Sequence, residues 1–147
     1  MIKKLRWTGT QLAGLGFLAV AALLPGCGNQ APPASTTRVF ATDLSGGARH
    51  CDVPKVSPVA GKDIAVAMKL GNDGGWCAIT VNDGGRPYGA GLLDPEPAHG
   101  KVLVHSVGDN TRIDYTPDPR FTGGDSFAVR LVPGNATLRV TVSVVGQ

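Results

Sequence analysis

Apolar and polar side chains take turns along most of the second half of this chain. Leu138, Val140, Val142 and Val144 fall on one side, and Arg139, Thr141 and Ser143 on the other. Residues two apart point the same way from an extended backbone, so the pattern predicts a strand with one buried face. The same spacing recurs at Ile64, Val66, Met68 and Leu70, through Cys77 to Val81, and at Ile113 and Tyr115. It returns at Phe127, Val129 and Leu131, while Lys101 to Val107 sets Val102 and Val104 against Leu103, His105 and Val107. Between these runs stand Asn72-Asp73-Gly74-Gly75, Asn82-Asp83-Gly84-Gly85, Gly108-Asp109-Asn110 and Pro133-Gly134-Asn135, all suited to tight turns. Short β-branched runs with regular punctuation and no convincing helix predict an all-β domain, a sandwich or a barrel.

The start of the chain follows another pattern. Lys3, Lys4 and Arg6 precede an apolar run from Leu12 to Leu24. As a helix that run covers ~20 Å at ~1.5 Å per residue, short of a ~30 Å bilayer core. Leu24-Pro25-Gly26-Cys27 comes next, and the whole resembles the export signal and lipobox of a bacterial lipoprotein. The resemblance implies a helical signal peptide over residues 1–26 and lipid attachment at Cys27. Leu24 takes the apolar position and Gly26 the small one, while Pro25 departs from the small residue usual between them. Ala19-Val20-Ala21 is a competing cleavage site that would release a soluble protein. Gly28 rather than Asp follows Cys27, which in this resemblance implies the periplasmic side of the outer membrane. Residues 27–37 then read as lipidated Cys and flexible tether, polar and carrying Pro32-Pro33, with one domain over 38–147.

Removing the signal changes the charge. The formal +3 includes Lys3, Lys4 and Arg6, so the rest carries 11 basic residues against 11 acidic ones. A balanced surface argues against nucleic acid as a partner, which needs a basic stripe. With Cys27 assigned to lipid, Cys51 and Cys77 remain as a pair in an oxidising compartment, and a structural disulfide is expected. Free buried thiols or a redox couple are the alternatives.

Three motifs stand in order across Glu96 to Val145: Pro97-Ala98-His99-Gly100-Lys101-Val102, Ile113-Asp114-Tyr115-Thr116-Pro117, and Phe121-Thr122-Gly123-Gly124-Asp125-Ser126-Phe127. Together they resemble the cadherin-like and Ig-like modules of bacterial surface proteins. The resemblance implies an Ig-like β-sandwich of about seven antiparallel strands. The stretch from Arg38 to Leu93 fits that pattern less well.

Chemistry is sparse. His50, His99 and His105 lack the helical i,i+4 spacing of a zinc protease, and no HExxH or GxSxG is present. Asp114, Asp118 and Asp125 could gather as calcium oxygens, but no D-x-D-x-D-G loop occurs. Turn-supporting roles are expected for them, and no catalytic residue, metal or cofactor is assigned. Trp76 and Tyr88 flank glycine-rich turns and are the candidate binding surface, with capping of the core as the alternative. The expected protein is a lipid-anchored, non-catalytic interaction or structural module. Its partner would be another envelope protein or the cell-wall polymer. A small envelope hydrolase, a metal-dependent enzyme, or an inhibitor or sensor subunit of a periplasmic enzyme are the alternatives. Metabolic labelling with a fatty-acid analogue tests the anchor: the wild-type protein takes up label and Cys27→Ala does not.

Overall fold

A computed structural model describes residues 39–146. The signal peptide, Cys27 and the tether lie outside the described residues. One helical turn, α1 (Ala41–Leu44), precedes eight strands: β1 (Cys51–Asp52), β2 (Asp63–Gly71), β3 (Cys77–Val81), β4 (Ala90–Leu93), β5 (Gly100–Val107), β6 (Asn110–Pro117), β7 (Gly123–Val132) and β8 (Ala136–Val145). They form a five-stranded sheet in the order β1-β2-β8-β7-β4 and a three-stranded sheet in the order β3-β6-β5. The all-β sandwich is as expected.

The pairing differs from an all-antiparallel arrangement in one place. β2 lies beside β8 in parallel, with Ile64 opposite Leu138, Val66 opposite Val140, Met68 opposite Val142 and Leu70 opposite Val144. Parallel neighbours need a long crossover, and here the chain from Asn72 to Asn135 supplies it. The two most regular alternating segments thus combine their apolar rows into one inner wall. Ile79, Ile113, Tyr115, Phe127, Val129 and Leu131 complete a core in which each is no more than 2% exposed. Tyr115 and Phe127 stack across it, with centroids 5.8 Å apart.

Three short elements escaped the pattern, and two-residue β1 is too short to show any period. Strand β4 carries Gly91, where a Cβ would come within 2.7 Å of Val104 Cγ1. That close passage between sheets requires glycine and erases the alternation a sequence reader looks for. Helix α1 is too short for a helical period. Asp43 holds it, accepting the Phe40 N–H at 3.0 Å while its own N–H donates to the Phe40 carbonyl at 2.9 Å.

Cys51 and Cys77 are disulfide-bonded with Cα atoms 5.3 Å apart. The bond joins β1 at the edge of one sheet to β3 of the other, so it staples the sandwich across its layers. Across a 26-residue separation the loop-closure effect stabilises by about 3.5 kcal/mol. Cys51→Ser is therefore expected to lower the thermal midpoint by roughly 10 °C or more, and reduction of the wild type should lower it similarly. Thermal unfolding followed by circular dichroism, with and without reductant, makes the measurement.

Candidate functional site

Two polar clusters involve β6 of the three-stranded sheet, one between the sheets and one on the outer face. One is an interior corner built from the three ordered motifs. The Asp125 carboxylate accepts the N–H groups of Ala98 and His99, each at 2.9 Å, and of Ser126 at 2.8 Å. It also accepts the Tyr115 hydroxyl at 2.9 Å. The Tyr115 ring lies against Gly100, where a Cβ would fall 2.6 Å from the ring, so a side chain at 100 would displace it. His99 stacks on Phe121 at 4.3 Å between centroids, and its carbonyl accepts the Asp118 N–H at 2.9 Å. Burial alone would raise the pKa of Asp125. The three backbone N–H groups and the Tyr115 hydroxyl outweigh burial and hold it below the ordinary carboxylate value. Tyr115 moves the opposite way, raised first by burial and then by the bond to Asp125 and its charge.

The second cluster is on the outer face, where alternation assigns residues to solvent. Arg112 and Asp114 sit there on β6, yet only 8% and 5% exposed. Arg112 Nε donates to Asp114 Oδ1 at 2.8 Å and Nη2 to Oδ2 at 2.7 Å, a bidentate pair. His105 Nε2 lies 3.0 Å from the same Oδ2. The guanidinium carbon stands 4.1 Å from the centroid of the Trp76 ring, and Nη1 donates to the Asp43 carbonyl of α1. What buries these charges is the strap from Val39 to Ala48, which crosses the sheet. Ala48 N–H donates to the Trp76 carbonyl at 2.8 Å, and Trp76 N–H to the Gly46 carbonyl at 3.1 Å. The indole N–H donates to the Ser45 carbonyl at 3.0 Å. Gly75 permits the contact, since a Cβ there would lie 2.4 Å from Ala48 N.

The proposed binding pair is therefore split between two environments. Trp76 is half-buried, with Gly47 and Arg112 against its ring. Tyr88 is half-buried and packs on the core, its N–H donating to Thr111 Oγ1 at 2.8 Å. Burial first, and then the Asp83 charge, raise its hydroxyl above the ordinary value. The three aspartates considered for calcium are engaged separately. Asp114 faces Arg112 on the outer side, Asp125 serves the corner, and Asp118 caps Phe121 through its carbonyl at 3.1 Å. Among the described residues no group of three or more His, Cys, Asp or Glu side chains is arranged to hold a metal ion. Sequence reasoning missed Arg112 altogether. Its one available signal was a cation between two buried positions, which usually means a solvated face.

No protein-family model matches this chain, and no curated protein matches it either. The geometry alone carries the functional argument.

Asp125→Asn keeps the shape of the corner and removes its charge. Because the folded carboxyl is shifted down, its stabilisation is complete above the ordinary carboxylate range and lost as pH falls through the folded value. The substitution is expected to cost about 2–3 kcal/mol at pH 7 and to flatten the fall in stability on acidification. Urea unfolding at a series of pH values from neutral downwards measures both effects.

Proposed function

We propose that this chain is a lipid-anchored protein of the bacterial cell envelope whose Ig-like sandwich serves as a non-catalytic interaction or structural module. The Ig-like reading draws support from strand order. The β3-β6-β5 sheet faces β8-β7-β4 in the arrangement of such sandwiches, with β2 added in parallel beside the last strand. An exported location agrees with the Cys51–Cys77 disulfide, which persists in oxidising compartments.

The observation that carries the non-catalytic reading is how the polar side chains are spent. Asp125 accepts four donors, and Asp114 pairs with Arg112 and His105. Among the described residues no buried side-chain nitrogen or oxygen lacks a hydrogen-bond partner. Groups committed in this way hold strands and loops together and are poorly placed to turn toward a substrate. A partner, whether an envelope protein or the cell-wall polymer, would meet exposed loops, including the Asn82–Arg86 turn that precedes Tyr88. A photo-crosslinking residue at position 86, introduced in intact cells, is expected to capture one discrete envelope protein or wall fragment. Absence of any adduct from positions 82–86 would remove this turn as the contact.

A further inference from the structure

Among the described residues seven large apolar side chains are well exposed, and four of them share one face. Val39, Phe40 and Leu44 belong to the strap, at 50%, 63% and 70% exposure, and Leu103 of β5 is 57% exposed. The strap is fixed over the outer face of the three-stranded sheet. Val39 lies against the β5–β6 turn, its Cγ2 within 2.9 Å of where a Cβ on Gly108 would stand. Arg112 grips the Asp43 carbonyl, and Trp76 holds Ser45 to Ala48. Leu103 is on the same face, opposite the Asp114 that Arg112 binds.

Phe40, the extended residue that precedes the helical turn, and Leu44, the last residue of that turn, both keep large apolar side chains in solvent. The turn's inner side is occupied by the bond from Arg112 to Asp43. Lys101, two residues before Leu103, is exposed on that face too, and a lysine stem beside apolar groups suits a headgroup boundary. The acidic groups near this face are Asp114, buried and paired with Arg112, Asp43, whose carboxylate accepts the Phe40 N–H, and Asp109 at the turn. The apolar surface is also where the chain enters the domain. Between Cys27 and Val39 stand eleven residues, a reach of at most ~36–40 Å. An anchor at Cys27 would hold this face near the bilayer at high effective concentration.

We infer that the strap face, with Phe40, Leu44 and Leu103 at its centre and Lys101 at its rim, docks on the phospholipid surface that carries the acylated Cys27. The inference rests on the lipid-anchor reading and adds an orientation to it. The three-stranded sheet lies toward the membrane, and the five-stranded sheet faces away.

The mature chain offers its own reporter. Once the signal is removed Trp7 is gone and Trp76, beneath the strap, is the one tryptophan left. Purified mature protein is reconstituted in phosphatidylethanolamine–phosphatidylglycerol vesicles, with and without bromine on the acyl chains near the headgroups. Mass spectrometry of the N-terminal peptide reports acylation of Cys27. The expected result is Trp76 emission reduced to roughly half by bromine. In a Phe40→Ser, Leu44→Ser double variant that is still acylated, and folded by circular dichroism, the quenching is lost. Acylated protein without quenching overturns this inference alone, and so does quenching that the double variant retains. Bromine-insensitive emission together with a dimer by light scattering would assign the face to a second copy instead. A Cys27 without lipid overturns the anchoring reading and this inference with it.

Discussion

The parallel pairing of β2 with β8 is the contact on which the rest of this sandwich is arranged. It sets Ile64, Val66, Met68 and Leu70 beside Leu138, Val140, Val142 and Val144 with no offset. A shift of one residue in either strand would turn a whole apolar row outward. The register therefore fixes the floor on which the three-stranded sheet packs. Contacts between residues far apart in sequence must form before this wall exists, and their loop-closure entropy makes such folds slow to assemble. The disulfide and the Asp125 corner then act on a frame whose register is already decided.

Alternation exposed most of that frame because its physics is local. A strand buried on one face shows its period whatever it pairs with, which is why six of the eight strands could be read from residues such as Ile64, Val104, Phe127 and Val140. The direction of pairing could not be read, since parallel and antiparallel neighbours bury the same row. β4 was hidden because a glycine was needed where sheets nearly touch. The corner around Asp125 was half legible: a turn aspartate accepting backbone N–H groups was expected, and Tyr115 as one of its donors was not. Gly100 serves the corner by making room for the Tyr115 ring.

The outer cluster was invisible for a more general reason. Alternation assigns Arg112 and Asp114 to the solvent side, and nothing within β6 says otherwise. Their burial comes from a segment some seventy residues earlier, whose own sequence has no period to announce it. A charge pair taken from water is costly unless each hydrogen-bonding group finds a partner. Here the carboxylate takes Nε and Nη2 of the guanidinium, Trp76 lies over its plane, and a strap carbonyl accepts from Nη1. The pair makes little sense as a stabilising device by itself. It makes sense as a fastening, because Nη1, which the bidentate pair leaves unused, donates to a carbonyl of the strap.

That fastening links the fold to the proposed anchoring. A tether ending at a loosely attached strand would let the domain face its membrane at any angle. A strap pinned by Arg112 and Trp76 instead gives the chain one fixed point of entry to the sandwich, since Val39, Asp43 and Ser45 are each held at the sheet. With the strap so held, its two outward apolar residues cannot turn inward to the core, and their exposure is a fixed property of the fold. The opposite surface, the outer side of the five-stranded sheet, presents Arg139, Thr141 and Ser143 along β8, with Val145 and Leu92 as its exposed large apolar side chains. The strap face gathers four of the seven exposed large apolar side chains of the described residues, and the opposite sheet shows two. In the proposed docking, orientation would follow from the side on which the chain enters, and the charge pair on β6 is what keeps that entry in place.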